Sequence, residues 1–257
     1  MRDTILPVFL VIATLCTVWG TADADIADPA SKPNIVLIMA DDVSWEAFSC
    51  YGAEDYDTPN IDRIAYEGVK FTDGYVSYPV CGPSRAGLLT GRYQDRFGFT
   101  TNPTISPNHP EAGIPLEEEN IAEVLTKVGY KNAIIGKWHM GSHPVHHPLN
   151  RGFHHFFGFL SGGHNYFPRQ YNLNDLSEVK KPYDWYRTKL IHDRERVDVD
   201  ADYLTDVLSD FGRLADNGLP AARRDLLAAL EANPNFETDI REKLGAALKS
   251  DKNNRRC

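Results

Sequence analysis

Cys81-Gly82-Pro83-Ser84-Arg85 packs more chemical potential into fewer residues than any other stretch of this chain. It forms a turn ahead of a predicted helix over 84–89, which Gly91 stops. A sulfur placed there meets the positive end of a helix dipole, and Arg85 adds a fixed cation. Both features suit an anionic substrate. The residues alone leave a second reading open, a small apolar Cys beside a helix cap. Asp41-Asp42 ends the apolar run 35–40. Adjacent carboxylates are hard oxygen donors and select a hard divalent cation over zinc. Taken alone they also suit a strand-end turn. Lys137-x-His139 follows a second apolar run and adds positive charge. Seven of the nine histidines (His139, His143, His146, His147, His154, His155 and His164) fall between 139 and 164. His-rich tracts can bind zinc, but no helical two-His spacing with an intervening Glu is present here. A rim around an anion pocket, or exposed loops, is the better expectation. Ser161 and His164 are candidate substrate contacts in the same tract.

These groups need elements to hold them. The run 35–40 predicts a buried, parallel strand. Thr58-Pro59 predicts a helix start, with Ile61, Ile64 and Ala65 as its apolar stripe and Gly68 as its stop. Residues 69–71 read as extended. A helix over 118–128 carries the stripe Ile121, Val124, Leu125 and Val128, and a strand over 131–135 follows. Such alternation predicts an α/β fold with a mainly parallel sheet flanked by helices. Ligands of such sheets sit beyond the carboxyl ends of the strands, so one crevice can hold both Asp41-Asp42 and Lys137-x-His139. The stretch 144–187 reads as loop-rich. Its Tyr166, Phe167, Tyr171, Tyr183, Trp185 and Tyr186 suit stacking on sugar or aryl rings, although packing is the commoner role for aromatics. Past Gly212 the only aromatic residue is Phe236, and 220–232 and 237–248 read as helices of an α-helical C-terminal tail.

Hydrophobic residues make up 42% of the 257 and charged residues 25%, which excludes collagen-like, low-complexity and polytopic membrane chains. Lys plus Arg is 27 against 36 Asp plus Glu, a net charge of -9, so no nucleic-acid partner is expected. Arg2, the apolar run 5–19 and Ala22-x-Ala24 predict a cleaved signal peptide over 1–24. The mature chain is then secreted or periplasmic, with no transmembrane span. Cleavage leaves Cys50, Cys81 and Cys257, which cannot form a closed disulfide framework. An unpaired thiol in an oxidising compartment is a liability unless it has a job.

Cys81-Gly82-Pro83-Ser84-Arg85, three further positions, then Leu89-Thr90-Gly91, resembles the signature of the type I, formylglycine-dependent sulfatases of the alkaline-phosphatase-like superfamily. Gly129-Tyr130 with Gly136-Lys137-Trp138-His139 is similar to their second signature, with Asn132 where the family has Ser or Thr. The segment from Pro33 to Asp42, and Arg151-Gly152-Phe153 with Phe156-Phe157-Gly158-Phe159, are similar to further family segments. The resemblance implies that a maturation enzyme oxidises Cys81 to formylglycine, whose hydrate attacks sulfur and later expels sulfate. It implies a Ca²⁺ ion, or Mg²⁺ in its place, bound by Asp41, Asp42 and residue 81. It implies that Arg85 holds the metal site and the hydrate in place, and that Lys137 and His139 contact the hydrate or the sulfate of a small molecule or glycan. The partial catalytic domain is expected over 33–211 and an unrelated tail over 212–257. The family's second metal pair, Asp-Asn, and a later His and Lys have no clear match. Asp216-Asn217-Gly218 has the letters, but no apolar strand precedes it. An incomplete fold with weak or absent turnover is therefore expected. The alternatives are a phosphoesterase of the same superfamily and a non-catalytic fragment that binds an anion or glycan.

Overall fold

The structure, a computed structural model, describes residues 32–215. The expected signal peptide, the helices over 220–232 and 237–248, and Asp216-Asn217 lie outside the described residues. The chain divides into two compact units between Ile38 and Met39.

In the first unit, residues 32–38 are extended without forming a strand. Ile35, Val36, Leu37 and Ile38 are 53–67% exposed, so the buried parallel strand expected over 35–40 is not formed. An apolar run supplies the side chains of a buried strand, but a strand also needs neighbours for its N–H and C=O groups.

The second unit holds helices α1 (Pro59–Glu67), α2 (Cys81–Thr90), α3 (Ile121–Lys127) and α4 (Leu204–Ala215). Its strands are β1 (Ala133–Lys137), β2 (His155–Phe159), β3 (Leu190–His192) and β4 (Glu195–Val197), in that spatial order. β1 and β2 are parallel, with Ala133 opposite His155 and Lys137 opposite Phe159. The β2–β3 and β3–β4 pairs are antiparallel. The fold is α/β, as the sequence predicts, and its sheet is mixed. The second strand of the parallel pair comes from the tract read as loop. His and Gly dominate there, yet Phe156, Phe157 and Phe159 alternate across the sheet as a two-sided strand requires.

Both sheet faces are covered. On one, Phe156 packs with Trp138, Met140, Leu160, Ile114 and Ala86 of α2. On the other, Phe157, Phe159 and Leu190 meet Leu204, Val207, Leu208 and Phe211 of α4, with the Phe157 and Phe211 rings stacked at 3.9 Å. Each buried Phe contributes roughly 2–3 kcal/mol by burial. α4 runs unbroken through Phe211 and Gly212, where the sequence places the start of a different segment.

α3 starts later than its stripe predicts because Asn120 caps it. The Asn120 side chain accepts from the Ala122 and Glu123 amides, and the Glu123 side chain accepts from the Asn120 amide. This capping box fixes the first turn. Asn132, the departure from the family pattern, has a local explanation. Its amide nitrogen donates to the Ala122 carbonyl (2.9 Å), the Thr126 hydroxyl (2.8 Å) and the Gly152 carbonyl (3.1 Å), tying α3 to the chain on either side of β1.

Candidate active site

α2 begins at Cys81, three residues earlier than expected. Pro83 falls in the first turn, where its missing N–H has no intrahelical partner to lose. The helix therefore carries Cys81 at its amino end. The Cys81 thiol lies 3.5 Å from the Asn102 side-chain oxygen, which also accepts from the Gly82 amide at 2.9 Å. Asn102 belongs to no recognised motif and sequence reasoning missed it. A Cβ at Gly82 would stand 2.8 Å from that oxygen and 3.3 Å from the His139 carbonyl, so only glycine lets these loops close on the helix.

Arg85, one turn on, reaches the carboxyl end of β1. Its Nη1 donates to the Lys137 carbonyl at 2.7 Å, and its Nη2 to Asp41 Oδ2 at 3.2 Å. Lys137 Nζ lies 2.8 Å from the same Asp41 oxygen. Partial burial pushes the Asp41 carboxyl up, but the Lys137 hydrogen bond and the Lys137 and Arg85 charges hold it below the usual carboxylate range. Burial lowers the Arg85 pKa, opposed by Asp41 and by Cys81.

His139 completes the cluster. It is 3% exposed and its Nδ1 is buried with no hydrogen-bond partner among the described residues. Burial, then the Lys137 and Arg85 charges, push its pKa down to about 4, so the ring is neutral at pH 7. His139 and Asp42 both hold left-handed backbones, with φ of 58° and 53°. Non-glycine residues in that region concentrate at functional sites. One carboxylate, two cations and an unpartnered imidazole thus meet beside a nucleophile at a helix amino end, an arrangement able to hold a tetrahedral anion against residue 81.

The Sulfatase family profile matches residues 33–212, most of the chain. This chain belongs to the sulfatase family. It is 47% identical over 137 residues to N-acetylgalactosamine-6-sulfatase of Rattus norvegicus, covering 51% of this chain and 26% of that protein. It is 46% identical over 127 residues to arylsulfatase G of Homo sapiens, covering 49% and 24%. Among solved structures it resembles the protein Ps i-CgsB in complex with k-i-k-neocarrahexaose, with TM-score 0.64 and 40% identity, covering 74% of this chain and 43% of that one. A second neighbour, solved in complex with its substrate D-glucosamine-2-N,6-O-disulfate, has TM-score 0.53 and 34% identity, covering 73% and 32%. The chain spans about a quarter of the length of the curated relatives it matches.

The other expected site residues of this sulfatase-family chain have internal partners. Ser161 is 2% exposed and donates to the Gly163 carbonyl at 2.7 Å. His164 packs between Phe159 and Tyr171, with Nε2 at 2.8 Å from the Thr188 carbonyl. Both shape the segment after β2. The remaining histidines have partners of their own. His146 is buried with Nε2 against the Pro110 carbonyl, His147 packs edge-on against Phe156, and His143 caps a turn. His154 accepts from the Asn132 amide, and His155 lies 3.7 Å from Asp193. Among the described residues no group of three or more His, Cys, Asp or Glu is placed to hold a metal. Asp41 and Asp42 therefore match a hard cation in donor type but, with Cys81, do not assemble its shell. Cys50 is separate, its amide donating to Asp62 at 2.8 Å, while burial and Asp62 push its thiol up.

Proposed function

We propose that this chain carries the nucleophile half of a sulfuric ester hydrolase, with Cys81 as the reacting position after conversion to formylglycine. The observation that carries the reading is the convergence of Arg85 and Lys137 on Asp41, at 3.2 and 2.8 Å, beside the amino end of the helix that begins at Cys81. As formylglycine, residue 81 supplies a hydrated carbonyl oxygen as nucleophile toward sulfur. Lys137 and Arg85 offset the charge of the bound sulfate, and both are anchored before substrate arrives, so little reorganisation is needed. Neutral His139 offers its ring nitrogen as a hydrogen-bond partner to sulfate or to the oxygen on residue 81, without adding charge at pH 7. Asn102 holds the first turn of the helix in place through the Gly82 amide.

A hard divalent cation, Ca²⁺ or Mg²⁺, suits the donors Asp41 and Asp42, but six or more oxygens are needed. The described residues supply too few, and no step of the reading runs through the ion. The relatives and neighbours that act on or bind sulfated sugars support a sulfated glycan or small molecule as substrate. An extracytoplasmic location and a Cys-oxidising maturation partner fit an unpaired Cys81. No helix among the described residues is long and apolar enough to cross a membrane.

Intact-mass analysis of the Cys81 peptide, from chain made in an oxidising secretory host, tests the reading. Loss of one sulfur and two hydrogens with gain of one oxygen is expected. An unmodified thiol in material that also fails to bind sulfate would overturn it.

A further inference from the structure

Beside the anion cluster stands an aromatic loop that the sulfate chemistry does not use. Tyr183, Trp185 and Tyr186 pack as three rings with centroids 5.3, 5.8 and 6.1 Å apart. Tyr183 is 66% exposed and holds a left-handed backbone, with φ of 70°. The loop is pinned where it meets the segment after β2. Asn165 donates its amide to the Tyr186 carbonyl at 3.0 Å, and His164 Nε2 lies 2.8 Å from the Thr188 carbonyl. Arg187 Nε donates to Asn172 at 2.9 Å.

Gly162-Gly163 joins this loop to the site. A Cβ on Gly162 would meet His139 Nε2 at 2.7 Å, and one on Gly163 would meet the Tyr186 hydroxyl at 3.1 Å. The two glycines therefore pack flush against the imidazole of the anion cluster and the phenol end of the aromatic loop. Burial, then Tyr183 and Cys81, push the Tyr186 phenol up. Its hydroxyl makes no hydrogen bond among the described residues. A purely apolar slot would suit an aryl group. Here an indole lies among two phenols, which presents ring faces and hydroxyls together. That pattern matches a pyranose, with its apolar C–H face and hydroxyl rim.

We infer that Tyr183, Trp185 and Tyr186 form the subsite for the sugar ring that bears the sulfate, with Trp185 stacking on the ring and Tyr186 hydrogen-bonding a ring hydroxyl. The inference rests on the reading of the anion cluster given above and adds the specificity for the alcohol portion.

The test is calorimetric titration of the full chain with inorganic sulfate, a monosulfated galactose and nitrophenyl sulfate. The sulfated sugar is expected to bind about tenfold tighter than sulfate, as one stacked ring and one hydrogen bond predict. Trp185→Ala should cut that advantage to about twofold, and the near-isosteric Tyr186→Phe should cut it by about three- to fivefold. Each variant is judged by the ratio of its two affinities, so a general loss of fold cancels. Equal affinity for sulfated sugar and sulfate, an unchanged ratio in both variants, or a preference confined to the aryl ester would each overturn the subsite while leaving the anion site standing. Failure of inorganic sulfate to bind would overturn both.

Discussion

Asp41 carries a heavier load than its exposure suggests, because two cations share one of its oxygens. Without it, Lys137 and Arg85 face each other uncompensated at the end of β1. Removing Lys137 leaves a carboxylate with one partner and an anion site with one fixed cation. Lys137→Ala is expected to weaken binding of inorganic sulfate by about 10- to 100-fold, the usual worth of one charged hydrogen bond. Calorimetric titration measures it, and a loss under about threefold would remove Lys137 from the anion site. At this scale the sequence was informative where residue types carry their own chemistry. Asp41, Arg85, Lys137 and His139, spread over almost a hundred positions, do meet beside Cys81. It was uninformative where a partner decides the role. His164 and His146 look like ligands in a row of letters and become packing residues once a ring or carbonyl lies against them. Asn102 acts through the Gly82 backbone, which no motif records.

The elements position the site through close approaches. Gly82 is one of them, with the Asn102 oxygen and the His139 carbonyl both crowding its missing Cβ. Gly82→Ala is expected to cost about 1–3 kcal/mol by overpacking. Equilibrium urea unfolding reads this as a lower midpoint with an unchanged slope. Helices were more legible than strands. α1, α2 and α3 appear where their stripes and stops place them, each within a few residues, since caps and periodicity are local. β1 was expected two residues early, and β2 lay hidden among histidines and glycines. The run 35–40 looked like the best strand and forms none. Strand identity depends on what pairs with it, and pairing is not written locally.

Across the whole molecule, acid is the predicted weakness. Burial pushes His147 and His164 each down to about 4, below their ordinary 6.5. For His147 the Arg194 and Arg196 charges add to this. A depressed folded pKa means the unfolded chain takes up the proton first. Stability is then complete above about pH 6.5 and is lost as pH falls toward 4, on the order of 3 kcal/mol for each ring. Thermal melts from pH 7 to pH 4.5 should show a falling midpoint, and His164→Gln should flatten the fall. A midpoint independent of pH in that window would show that these rings titrate normally.

Arg85 grips Asp41 and the Lys137 carbonyl across separations of 44 and 52 residues. Closures of that span come late, because the chain loses entropy before it gains the contact. On dilution from denaturant the helical signal should return first and affinity for sulfate last. Intermediates in which the helices are already formed would still be blind to the anion.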